Sequence, residues 1–197
     1  TIDQPILARK GDSVCIDWGY FYMPSFNGTV SLGESTAVMA DFIRHGTLPK
    51  SQTEITSRKS YDVPTLAYMR NMGRVTTAKS YMMIGYDEIY DIEYMYHRYK
   101  GYWARDGHTT IFDAFDRYHR DYLTIMQRSR QVDRRIYDDG LAAGNEHYAE
   151  LLSASYRQVM AAHKLFEDHD GNLLYFSKEN ASNGCVNTVD LTYPSAP

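Results

Sequence analysis

Thr109-Thr110-Ile111-Phe112-Asp113-Ala114-Phe115-Asp116-Arg117-Tyr118-His119-Arg120-Asp121-Tyr122 opens the stretch that decides how this chain folds. Apolar side chains stand at Ile111, Phe112, Phe115, Tyr118 and Tyr122. The spacing continues through Ile125, Met126, Ser129, Val132 and Ile136. Steps of three and four put these residues on one face of a helix. The spacing predicts one long amphipathic helix over residues 108–138, with Thr109 or Thr110 near its start and Asp139-Gly140 at its end. Asn145 is a plausible cap for a second helix over residues 146–164, with Tyr148, Leu151, Leu152, Ser155, Val159 and Ala162 along one face. A short connection makes the two an antiparallel helical hairpin.

On the N-terminal side the period changes. Val14 to Met23 is rich in β-formers, and Pro24, Asn27-Gly28 and Gly33 punctuate a turn region after it. A short helix is expected over residues 34–45, with Val38, Phe42 and Ile43 inward and Gly46 closing it. Two β-like runs follow, Val63–Val75 and Ala78–Tyr90, with Tyr81 to Tyr86 as the candidate buried strand. Asn71-Met72-Gly73 suggests a turn or bulge in the first run. The acids of Asp87 to Tyr94 are expected on a solvated face. On the C-terminal side, Glu167 to Asn172 is a turn between Leu165-Phe166 and Leu173 to Phe176. Strands first and helices second make the class α+β, with domains expected at 1–103 and 104–197.

The totals exclude some functions. The chain has 197 residues, enough for a sizeable core, and a net charge of -4 with no basic run, so nucleic acid is not an expected partner. No apolar stretch has the length of a membrane span. Both ends read as cuts through a longer protein. Cys15 and Cys185 are expected as buried free thiols. Eighteen tyrosines favour half-buried surfaces such as sheet faces and grooves. The seven histidines show no paired metal spacing, and there is no Cys-x-x-Cys or Gly-rich phosphate loop, so neither metal nor cofactor is expected.

What remains for chemistry is Ser177 to Asp190, running on to Pro197. It mixes Lys178, Glu179, Asp190 and several asparagines with anchoring Phe176, Val186, Val189 and Tyr193. Polar groups held by apolar anchors suit a functional loop on a scaffold. Asn180 stands where Ser-x-x-Lys hydrolases would place lysine. Two carboxylates, Glu179 and Asp190, can share general acid and base work on a water. Lys178 or the Asn183 amide can stabilise an oxyanion. Arg157 can clamp a carboxylate through its planar fork, or brace the loop from below.

Ala154-Ser155-Tyr156-Arg157-Gln158, Ala161-Ala162-His163-Lys164, Phe176-Ser177-Lys178-Glu179-Asn180, Ser182-Asn183-Gly184 and Thr188-Val189-Asp190 through Pro197 closely resemble the glutaminase A family. So do Arg9-Lys10-Gly11-Asp12, Ile16-Asp17-Trp18-Gly19-Tyr20, Gly85-Tyr86-Asp87-Glu88-Ile89-Tyr90 and Ile92-Glu93-Tyr94. The resemblance implies the end of a β-sandwich-like domain followed by the first helices of an (α/α) six-hairpin toroid. It implies a secreted or periplasmic amidohydrolase taking L-glutamine to glutamate and ammonia.

From the polar loop itself, not from the resemblance, the expected catalytic pair is Glu179 and Asp190, with Arg157, Lys178, Asn183 and Tyr193 binding the substrate. The expected partners are a small amide substrate and the remainder of the parent chain. Two other functions stay open. One is a carbohydrate-active enzyme or glycan-binding module, suggested by the tyrosines, Trp18 and Trp103. The other is a scaffold segment inactive by itself.

Overall fold

The structure, a computed structural model, describes residues 19–55, 63–178 and 185–190. Among these residues there are four α-helices and four two-stranded antiparallel sheets, so the class is α+β. The chain divides into two compact units, one of them Tyr20–Asp87 and the other containing everything described from Glu88 onward.

In the first unit, β1 (Tyr20–Tyr22) pairs with β4 (Gly85–Asp87). β2 (Thr29–Glu34) pairs with β3 (Pro64–Met69), Leu32 facing Leu66. Helix α1 (Ser35–His45) lies between them in sequence. Gly46, left-handed at φ 68°, closes it by donating its N–H to the Phe42 carbonyl. Of the apolar face expected on α1 only Val38 is buried, while Phe42 and Ile43 are exposed. The Ala78–Tyr90 run shortens to β4, and Met82 and Ile84 stand exposed. A short apolar run does not by itself make a strand, because burial depends on what packs against it. The Asn71 side chain accepts from the Gly73 N–H, a tight turn beyond the end of β3. Of the Val14–Met23 strand, residues 14–18 lie outside the described residues.

The second unit begins with a hairpin, β5 (Ile92–Tyr94) and β6 (His97–Tyr99). Met95 and Tyr96 turn it with φ values of 49° and 66°, the positive pair that a two-residue turn requires to match strand twist. A 3-10 turn, Tyr102–Ala104, leads to α2 (Ile111–Arg120). Thr110 and Asp113 form a reciprocal capping box there. The long helix expected over 108–138 is in fact two, because the run breaks at Asp121, whose φ and ψ are -93° and 8°. The apolar spacing carries through the break, so periodicity is blind to it. Arg117, His119 and Arg120 in the last turn of α2 are its local mark, since cations suit a helix C-terminus.

Helix α3 (Tyr122–Ala143) does not stop at Gly140 either. Gly140 is buried against α4 (Glu146–Ala161), and a Cβ there would stand 2.8 Å from the Ala149 Cα. The glycine serves close helix packing rather than termination. Asn145 caps α4 through its side chain as expected, accepting from the Tyr148 N–H. α4 ends at Ala161, earlier than its spacing suggests, and the chain turns into β7 (His163–Glu167) and β8 (Leu173–Ser177). Asp168 ties their turn by accepting from the Asp170 and Asn172 N–H groups and from the Asn172 amide.

The core of this unit lies where the two hairpins meet. Ile92, Tyr99 and Phe166 are buried there, with Tyr94, Leu174, Phe176 and Val186 packed around them. Phe166 and Phe176 meet edge to face at 5.1 Å, and Tyr94 and Phe176 at 5.2 Å. Such pairs add about 0.5–1.5 kcal/mol each beyond the area they bury.

Candidate functional site

Beside that aromatic core lies a buried group of four charges. Lys178, the residue after β8, has a side chain only 1% exposed, and its ammonium pairs with Glu88 Oε2. It also donates to the Asp91 carbonyl at 2.6 Å. Lys164 of β7 donates to Glu88 Oε1 at 2.6 Å and stands 3.7 Å from Asp91 Oδ2. Two cations and two anions balance, and removing one member would strand a buried charge at a cost of about 3–5 kcal/mol.

The backbone between the two acids is strained. The Tyr90 N–H donates to the Glu88 carbonyl at 2.7 Å, and between them Ile89 has φ 68°. That is a γ-turn with positive φ at a β-branched residue, a conformation that is rare and costly. Asp87 to Tyr94 was expected to present a solvated acidic face. Glu88 and Asp91 are instead 5% and 7% exposed, because two lysines far along the chain cover and neutralise them.

Burial and charge pull the pKa values in different directions. For Asp91, burial and then the neighbouring Glu88 charge raise the carboxyl pKa, and together they outweigh the lysines and the Gly101 backbone hydrogen bond that lower it. For Lys164, burial lowers the pKa, but the hydrogen bond and charge of Glu88, with Asp91, outweigh it and the net shift is upward. For Lys178, burial wins and the pKa falls despite the same partner. The two lysines also differ in their partners: an Asp91 hydrogen bond adds to the rise at Lys164, while the Lys164 charge adds to the fall at Lys178.

Lys178 is also the foot of the polar loop. It bridges to Val186, and its N–H donates to the Ala162 carbonyl at 2.9 Å. One residue earlier, the Ser177 N–H donates to Asn187 Oδ1 at 3.1 Å and the Asn187 N–H returns to the Ser177 carbonyl at 2.9 Å. Both ends of the loop are thereby fastened to the scaffold.

The expected site residues divide accordingly. Glu179, Asn183 and Tyr193 lie outside the described residues. Asp190 is exposed in the last described turn. Arg157 of α4 reaches across to Asp133 of α3 at 3.1 Å, in an open groove shared with Arg130, Arg134 and Leu141. Cys185 is exposed rather than buried, since it stands on the loop and not on a strand, and Cys15 lies outside the described residues. His163 is satisfied internally, its Nδ1 at the Val159 carbonyl and its ring stacked on Tyr175 at 4.6 Å.

Glu88, Asp91 and Lys164 were not singled out from the sequence as site residues. Their signal was faint: two acids inside an aromatic, β-forming segment, and a lysine between apolar strand residues. Among the described residues no group of three or more His, Cys, Asp or Glu side chains could hold a metal ion. No helix among them is long and apolar enough to cross a membrane.

Residues 1–139 match the family described as a domain of unknown function, DUF5127. Residues 145–197 match the glutaminase A six helical-hairpin domain, which places α4, β7 and β8 within that domain. The chain is 28% identical over 194 residues to Glutaminase A of Aspergillus oryzae (strain ATCC 42149 / RIB 40). The likeness covers 92% of this chain and 27% of that protein, so the chain spans about a quarter of its relative's length. No solved structure matches.

Proposed function

This chain belongs to the DUF5127 family and is a relative of the glutaminase A family, and from that premise we propose that it forms part of a glutaminase-like amidohydrolase. The reaction adds water across the side-chain amide of L-glutamine and releases glutamate and ammonia. The observation that carries this reading is the likeness to Glutaminase A along 92% of the chain.

The loop after Lys178 is where this reading locates the chemistry. One carboxylate of Glu179 and Asp190 takes a proton from water as it attacks the amide carbon. The other delivers a proton to the departing nitrogen. The Asn183 amide steadies the developing oxyanion, and Tyr193 and Arg157 hold the substrate, Arg157 through its α-carboxylate. Lys178 serves the same site from the foot of the loop, its charge already matched by Glu88. Binding glutamine at Arg157 would exchange its partner Asp133 for the substrate carboxylate. In keeping with the family resemblance, the parent protein acts outside the cytoplasm, which fractionation of the producing cells would test.

In the full protein, Glu179→Gln and Asp190→Asn should each lower kcat for glutamine by about 100- to 10,000-fold while the protein stays folded. The readout is ammonia release, with oligosaccharides run beside glutamine to separate amide hydrolysis from action on sugars. Near-normal turnover in both variants would remove this assignment.

A further inference from the structure

We propose that Glu88 is a positioning residue for the site: by holding Lys178 it fixes the paired ends Ser177–Lys178 and Val186–Asn187, and with them the placement of Asp190, three residues on. This rests on reading Asp190 as part of the amidohydrolase site, while the latch itself stands on geometry alone.

The Lys178 ammonium is sealed from solvent and occupied by Glu88 and the Asp91 carbonyl, so its work is done inside the protein. Its backbone, by contrast, makes the contacts that join β8 to its neighbours. It is tied to Ala162 on one side and bridged to Val186 on the other. A side chain anchored at its tip and a backbone anchored at both flanks leave the foot one position to occupy.

The anchor is an expensive one. Next to Glu88, which meets both lysines, Ile89 adopts φ 68°. Strain of this kind persists where the surroundings over-determine a geometry, and it gathers at functional sites. A buried ion pair is a poor source of stability compared with apolar packing, but it does define a single arrangement. Apolar side chains were available, since Phe166 and Phe176 pack nearby in the same hairpin. A pair that costs strain and desolvation fits a role in placement better than one in stability.

The test measures kcat and KM of the full protein for glutamine in Glu88→Gln, Lys178→Met and the double variant. Amide hydrogen exchange is followed in the same proteins. Each single variant should lower kcat about 10- to 100-fold, the usual result of a small misplacement of reacting groups, with KM within about threefold. The double variant should be no worse than the worse single, because both cut one link. Exchange at the Ser177, Lys178 and Asn187 amides should quicken about tenfold or more while α3 keeps its protection. A destabilised control, Gly140→Ala, should leave kcat near normal well below its melting temperature.

Losses that multiply in the double variant, or unchanged exchange at the three amides, would overturn the proposal. If the parent shows no glutaminase activity, the functional reading fails, and the exchange data alone still decide whether Glu88 holds the loop. Should Glu88→Gln not fold, Glu88→Asp, shorter by one methylene, is read in the same way.

Discussion

Asp106 accepts three hydrogen bonds at the entry to α2: from the His108 N–H at 2.9 Å, the Thr109 N–H at 2.8 Å and the Thr109 hydroxyl at 2.6 Å. The Thr109 side chain is the largest of the influences that bring its carboxyl pKa from 3.8 down to about 2. The folded pKa is depressed, so the stabilisation is fully present above 3.8 and is lost as pH falls through about 2. Asp106→Asn should therefore melt at a lower temperature than the native chain at neutral pH. The difference should close between those two values in a pH series of thermal melts. At this scale the sequence could be read only where partners are neighbours. Asn145 declared itself as a cap, and Thr110 as one of two candidates, because each binds three residues ahead. Glu88 and Lys178 lie 90 residues apart, and no local pattern records that they meet.

The helices show how far periodicity reaches. The apolar repeat correctly marked residues 111–136 as helical but missed the break at Asp121, which has neither proline nor glycine beside it. Gly140 misled in the opposite sense. In a solvent-facing helix, changing glycine to alanine gains about 1 kcal/mol. Here the new methyl would meet the Ala149 backbone at 2.8 Å and the Leu152 side chain at 3.2 Å, and backbone cannot swing aside. Gly140→Ala should therefore destabilise the chain by about 1–3 kcal/mol in urea unfolding, the cost of overpacking. A gain in stability would mean that α3 and α4 stand farther apart. The β7–β8 hairpin was legible because its Asp-Gly turn sits between two apolar runs. The Ala78–Ile84 segment was not, because its residues resemble a strand but pair with no strand among the described residues.

For the molecule as a whole, the α+β class and the kinship with glutaminase A were legible in the order of the residues, and the four-charge cluster that ties distant segments together was not. That cluster has a consequence in time as well as in space. β5 with β6, and β7 with β8, close through short loops, whereas Glu88 must find Lys164 and Lys178 across 76 and 90 residues. Closing a loop costs more entropy as it lengthens, so the hairpins can assemble well before the charges meet. During refolding, a brief acetylation pulse should still label the Lys178 amine after the β7–β8 amides have become protected from exchange. Simultaneous protection of both would contradict that order. The loop's foot would then be the last part of its unit to mature, and a newly made chain would hold its hairpins before it held its site.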